Sequence, residues 1–250
     1  MDRIALVTGA GSGIGQAAAI RLSRAGLRVV LSSRRAEALA ATAAACPGPT
    51  LAVPADVTDP SAVDGLFGRA EHDWGTVEVL IASAGAGYSA RIERTSDADW
   101  NRMLELNLTA PFRCLRRAVP AMRTRGYGRV VMIASTASRV GEPYLAAYTA
   151  SKHGVLGLVR AAAAELAGTG VTVNAVCPGF VDTPMTATTI GNIVQKTGRT
   201  AEQAREALEA RQPIGRLITP EEVAGAVWFC VASEAITGQA VNVDGGTVQS

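Results

Sequence analysis

The chain is predicted to be an α/β protein, a doubly wound parallel sheet in three α/β/α layers, and three observations predict it. Short apolar runs rich in β-branched residues alternate with amphipathic stretches nearly to the end of the chain. The runs are continuously apolar, as suits strands covered by helices on both faces. Helix starts between them carry their own punctuation, a capping residue followed by proline and acid. The 250 residues suit one domain of this kind. No repeat, low-complexity tract or Pro/Ser linker divides residues 1–250, so a single domain is expected, with an insertion at about 184–217.

Ile4–Thr8 is the first expected strand, and it runs into Thr8-Gly9-Ala10-Gly11-Ser12-Gly13-Ile14-Gly15 before a helix beginning near Gln16. In such a loop, glycines let the backbone approach a pyrophosphate while the helix N-terminus supplies free N–H groups and a positive dipole. Glycines also serve plain strand-to-helix turns, so the run alone is weak evidence. Its place at the opening of the first βα unit strengthens it, and no Gly-Lys-Ser/Thr follows as in a nucleotide triphosphatase loop. Gly9, Gly11, Ser12, Gly13, Ile14 and Gly15 are thus candidate dinucleotide-binding residues of a Rossmann-type fold.

The second strand, Arg28–Ser33, ends in Ser32-Ser33-Arg34-Arg35 where an NAD-preferring site would carry an acid. An arginine there can pair with a 2′-phosphate. NADP is therefore expected over NAD, with Ser33, Arg34 and Arg35 as contacts; the alternative is two solvated charges before a helix. After the third strand, Thr50–Ala55, Asp56 and Val57 can meet the adenine edge, or Asp56 can cap a turn. Asp59-Pro60 starts the next helix.

Val77–Ala82 and Arg129–Ala134 are the fourth and fifth strands. Ser135 follows the fifth, where its hydroxyl could hold a carbonyl oxygen. Tyr148-Thr149-Ala150-Ser151-Lys152 opens an Ala- and Leu-rich helix, which puts Tyr148 and Lys152 one turn apart on one face. A tyrosine titrates near ~10 and is a poor base at neutral pH, but an adjacent ammonium and the positive nicotinamide ring favour phenolate and pull its pKa down, which makes general acid/base work feasible. Singly, Tyr148 reads as an interface aromatic, Lys152 as a solvated charge and Ser135 as a turn former. Val171–Cys177 is the sixth strand, Thr219-Pro220-Glu221-Glu222 starts the last helix, and Gln239–Val243 is the final strand before Asp244-Gly245-Gly246. Right-handed crossovers gather the strand C-terminal ends on one edge, where ligands bind.

Composition closes off other classes. Lys and Arg total 24 against 22 Asp and Glu, and the basic residues are scattered, so no nucleic acid partner is expected. No stretch reaches membrane-spanning length, and the N-terminus enters a strand too soon to resemble a signal peptide. Cys46, Cys114, Cys177 and Cys230 form no Cys-x-x-Cys pair, and His72 and His153 lack ligand spacing, so no metal is expected and a reducing cytoplasm is the natural setting.

Taken together, the Thr-Gly-x-x-x-Gly-x-Gly loop, Ser135 and the Tyr148-x-x-x-Lys152 pair closely resemble the short-chain dehydrogenase/reductase family over essentially the whole chain. That resemblance implies a catalytic tetrad of Asn107, Ser135, Tyr148 and Lys152, with Asn107 supporting a water-linked proton relay to Lys152. It implies that Tyr148 and Lys152 also meet the nicotinamide ribose. Ala84 and Gly85 would flank the cofactor, and Pro178, Gly179, Val181 and Thr183 would hold its carboxamide side. From the residues alone, Asn107 reads only as a helical Asn with a local polar contact. One departure stands out: the family's common Asn-Asn-Ala-Gly is Ala82-Ser83-Ala84-Gly85 here, so packing after the fourth strand must be satisfied differently.

The expected function is NADP(H)-dependent carbonyl reduction or alcohol oxidation. The stretch Val173–Met185 and the insertion after it look similar to 3-oxoacyl and polyketide ketoreductases, which implies a β-keto compound, as a coenzyme A or carrier-protein thioester. Lys196, Arg199, Arg205 and Arg211 could meet its phosphates, although interleaved glutamates read equally as a solvated amphipathic lid. The alternatives are a dehydrogenase of an aryl, steroid or sugar alcohol and a non-catalytic NADP-binding regulatory protein. A sugar epimerase or dehydratase fits less well, since such relatives usually carry a larger C-terminal substrate domain. A homotetramer or homodimer is expected through the helices containing Asn107 and Tyr148.

Overall fold

Alternate residues of the first strand face opposite layers: Ile4 and Leu6 join one buried cluster, Ala5 and Val7 the other. Both faces being apolar, the strand is stable only inside a helix-covered sheet, and that is where it lies. The computed structural model describes residues 3–249. Seven parallel strands, β1 (Ile4–Thr8), β2 (Arg28–Ser32), β3 (Thr50–Ala52), β4 (Val79–Ala82), β5 (Gly128–Ile133), β6 (Val171–Pro178) and β7 (Ala240–Val243), form one sheet. Its order is β3-β2-β1-β4-β5-β6-β7.

One face is covered by α3 (Pro60–Asp73), α5 (Ala110–Arg125) and α6 (Ala146–Glu165), which bury Phe67, Leu115 and Val155. The other is covered by α1 (Gly13–Arg24), α2 (Ala36–Ala45) and α9 (Pro220–Ala232), which bury Leu22, Leu39 and Val227. The expected helix starts are present: Asp59 accepts from Ser61 N at 2.8 Å, and Thr219 with Glu222 makes a reciprocal capping box. α4 (Asp97–Leu104), α7 (Pro184–Thr197) and α8 (Ala201–Glu209) complete the helices, the last two lying between β6 and α9.

Some boundaries differ from expectation. β3 stops at Ala52 instead of Ala55 because it is an edge strand and Pro54 brings no N–H to the ladder; only Val53 and Ala55 extend the bonding, to Leu31 O and Ser33 O. β4 begins two residues after Val77, and α1 begins at Gly13 instead of near Gln16. The strand order reverses between β1 and β4, which opens a crevice at their C-terminal ends.

Candidate active site

The glycine loop leaves β1 inside that crevice. Gly9 has φ +69°, and a Cβ there would lie 2.9 Å from the Ala84 backbone, so the loop touches the exit of β4. A Cβ on Gly15 would lie 2.3 Å from Gly9 O, so only glycine lets α1 start this close to the turn. Ser12 caps α1 through its backbone and leaves its hydroxyl uncommitted, while Ile14 packs on the core behind. The first N–H groups of α1 therefore point into the crevice without a side-chain cap, the chemistry a pyrophosphate requires. Thr183, at the start of α7, packs against Gly13 from the far side.

Ser33 lies beside Gly11 and donates to Arg35 O at 3.3 Å, and Arg34 and Arg35 are both exposed next to the loop. Asp56 is also exposed, with Oδ1 accepting from Thr58 N and Thr58 Oγ1. Those bonds, assisted by the Arg34 charge, hold its carboxyl below the usual range. The turn reading of Asp56 thus describes its local structure, and Val57 beside it is buried.

The exit of β4, where Ala82-Ser83 stand, is held by a hydroxyl. Thr8 Oγ1 accepts from both Ser83 N (3.1 Å) and Ala84 N (3.2 Å), tying β1 to the exit of β4. Nothing local in sequence announces this bond, which spans 75 residues.

Between α4 and α5 the helix widens into a π turn, Glu105–Thr109, which turns Asn107 fully inward. Its Oδ1 accepts from Ala86 N, and its Nδ2 donates to Ala86 O and to Ser151 Oγ, at 3.0, 3.0 and 3.3 Å. It is therefore no local contact, for it joins the β4 exit to α6. Gly85 lies between Asn107 and Lys152: a Cβ there would be 3.0 Å from Asn107 Oδ1 and 3.7 Å from Lys152 Nζ.

Ser135 follows β5 and begins a 3-10 turn, Thr136–Ser138, in which its Oγ accepts from Ala137 N. The Ser135 hydroxyl favours ionisation of the Tyr148 phenol. Lys152, buried, donates to Ile133 O at 2.8 Å, and its Nζ is 5.8 Å from the centre of the Tyr148 ring. Burial lowers the Lys152 pKa to about 8. The Tyr148 pKa is raised, because desolvation outweighs the Ser135 hydrogen bond. The depression expected of the phenol includes the positive nicotinamide ring, and the protein alone supplies only the Lys152 ammonium, which also donates to a sheet carbonyl. Lys152, with Tyr148 beside it, and Asn107 thus flank Gly85, whose neighbour Ala84 touches the glycine loop.

Segments beyond the strand ends approach one another around the crevice. Ala90 N donates to Tyr144 O at 2.9 Å, and Met185 of α7 reaches Gly87 across the crevice. Pro178 ends β6; Gly179 packs on Asp244, and Val181 bridges to Ile218. Of the four basic residues expected to meet phosphates, two are already engaged: Arg205 pairs with Asp182 and Glu209, and Arg211 with Glu142. Lys196 and Arg199 are exposed. Among the described residues there is no cluster of potential metal ligands, and no helix is long and apolar enough to cross a membrane.

Residues 9–248 match the family model described as enoyl-(acyl carrier protein) reductase. The chain belongs to the short-chain dehydrogenase/reductase family. Within this family of oxidoreductases it is 40% identical over 256 residues to a putative ketoacyl reductase of Streptomyces coelicolor, covering 98% of this chain and 97% of the relative. It is 36% identical over 254 residues to a D-beta-hydroxybutyrate dehydrogenase of Rhizobium meliloti, covering 98% of each. Its fold superposes on the crystal structure of a variant of actinorhodin polyketide ketoreductase with NADPH at a TM-score of 0.95, with 39% identity over 98% of this chain and 97% of that one.

Proposed function

We propose that the protein is an NADPH-dependent ketoreductase that reduces a β-keto compound, as a 3-oxoacyl thioester, to the 3-hydroxy product. The observation that carries this reading is the convergence of Asn107, Lys152 and Tyr148 at the β4 exit: Asn107 and Lys152 flank Gly85, Lys152 Nζ lies 5.8 Å from the Tyr148 ring centre, and the neighbouring Ala84 backbone meets the glycine loop. Gly9, Gly11, Ser12, Gly13, Ile14 and Gly15 would hold the pyrophosphate, and Ser33, Arg34 and Arg35 the 2′-phosphate. Asp56 and Val57 would border the adenine, Ala84 and Gly85 the middle of the dinucleotide, and Pro178, Gly179, Val181 and Thr183 the carboxamide. NADPH, when bound, would supply a hydride to the carbonyl carbon.

Ser135 donates a hydrogen bond to the carbonyl oxygen, and Tyr148 gives that oxygen its proton. A phenol is protonated at neutral pH, so Tyr148 has this proton to give in the reductive direction. Lys152 adds positive charge beneath the phenol and holds the ribose; Asn107 fixes the backbone around Ala86 and the relay side of the site. Oxidation of the alcohol uses the same groups in reverse.

A second reading, reduction of a plain alicyclic or aryl ketone, is favoured by the engagement of Arg205 and Arg211 in ion pairs. The protein would act in the cytoplasm as a homotetramer or homodimer built through α4–α5 and α6, where Phe112 lies 40% exposed. The test compares kcat/KM on acetoacetyl-coenzyme A, its N-acetylcysteamine analogue and plain ketones, for the parent protein and for variants neutralised at Lys196 and Arg199. The thioester reading expects the coenzyme A substrate to lead and to weaken on neutralisation; efficient plain-ketone turnover with none on either thioester selects the second. Tyr148→Phe should cost at least about 100-fold in turnover while retaining NADPH binding. Near-parent turnover by that variant would remove the mechanism.

A further inference from the structure

We propose that Arg211 and Gln212, at the point where the chain leaves the α7–α8 insertion, are positioning residues that lock the insertion to both sides of the reaction site; this rests on the ketoreductase reading. The chain exits α8 at Glu209. Gln212, only 2% exposed, commits its whole side-chain amide within three bonds. Oε1 accepts from Phe180 N at 2.8 Å, and Nε2 donates to Phe180 O at 3.1 Å and to Arg216 O at 2.7 Å. One side chain thus bonds both backbone groups of Phe180, whose carbonyl also accepts from Ile218 N at 2.9 Å. Gly179 is part of the same fit, since a Cβ there would fall 2.2 Å from Gln212 Oε1. The segment fixed in this way is the β6 exit assigned above to the carboxamide.

Arg211 makes the complementary connection. Its guanidinium lies 5.1 Å from the centre of the Phe180 ring and pairs with Glu142, in the loop that leads into Tyr148. The Glu142 side chain is 15% exposed and that of Arg211 48%, so the carboxylate depends on this cation more than on solvent. At the other end of the insertion, Asp182 pairs with Arg205 at 2.8 Å and Thr183 rests on Gly13. The insertion is therefore rooted on the glycine loop where it begins and on the Tyr148 loop where it ends. Arg211 and Gln212 act through Phe180 and Glu142, and the Arg211 charge serves the protein itself instead of a substrate phosphate.

The experiment measures ketone KM, kcat, NADPH Kd by fluorescence and Tm for the parent, Arg211→Met, Glu142→Gln, and the exchanged pair Glu142→Arg with Arg211→Glu. Loss of the pair should raise ketone KM about three- to tenfold with NADPH Kd nearly unchanged; Arg211→Met also lowers Tm, because it leaves the largely buried Glu142 carboxylate unpaired. The exchanged pair should recover most of the loss. Gln212→Met should instead weaken NADPH binding and lower kcat. Single variants that leave KM unmoved, single variants whose only effect is on Tm, or an exchange no better than the worse single variant would overturn the proposal. Retention of parent NADPH affinity by a folded Gln212→Met protein would overturn the part assigned to Gln212. A parent protein that turns over no ketone would overturn the ketoreductase reading together with this one, whereas parent turnover indifferent to the pair removes this inference alone.

Discussion

Lys152 is buried with its ammonium on Ile133 O, and that burial lowers its pKa from 10.5 to about 8. The unfolded chain therefore holds this proton more tightly than the folded one between those values. Below pH 8 the buried charge costs stability on the order of 3 kcal/mol, and the cost fades as pH rises toward 10.5. Lys152→Met is accordingly expected to abolish turnover yet raise the Tm of the cofactor-free protein at neutral pH. An unchanged or lower Tm would mean that the bond to Ile133 O outweighs the desolvation. The Tyr-x-x-x-Lys spacing made this pair legible in the sequence, because a helical repeat fixes which residues share a face. The direction of the phenol shift in the protein alone was not legible, since it depends on how far the fold buries the ring.

At the level of elements, strands and helix starts were read well where the signal was local: continuous apolar runs, Asp59-Pro60, and the Thr219–Glu222 box. The misread end of β3 lies at an edge, where tertiary pairing decides how far an apolar run remains a strand. Two site-building features had no local signal at all. The π turn that turns Asn107 inward looks like ordinary helix in sequence, and the Thr8 clasp joins residues 75 positions apart. Thr8→Val tests the clasp: it keeps the shape of a buried side chain and strips Ser83 N and Ala84 N of their acceptor. The expected loss is about 1–3 kcal/mol of stability, seen as a lower denaturation midpoint, together with weaker NADPH binding. Thr8→Ser, which keeps the hydroxyl, should remain near the parent; equal losses in both variants would refute the clasp.

For the molecule as a whole, the strand order sets β1 against both β2 and β4, so the glycine loop, the β2 arginines and the β4 exit meet at a single crevice. A ligand bound there stabilises the entire fold by mass action, about 2.7 kcal/mol at a hundredfold excess over Kd. NADPH at a given concentration should therefore raise Tm by several degrees more than NADH, and Arg34→Asp should invert the order. A larger shift with NADH in the parent would reverse the cofactor assignment. The same β1–β4 pairing shapes how the chain assembles. Thr8 pairs with Ser32 early in the sequence but meets Ala82 only much later, and every strand pair is parallel and separated by a crossover. Such non-local topology folds slowly, since loop closure precedes the contacts that repay it. During synthesis one edge of β1 stays bare until Val79–Ala82 has emerged, and an apolar strand with an open edge is a template for pairing with another chain. The arrangement that creates the crevice thus makes the nascent N-terminal half the part of this protein most in need of protection from aggregation.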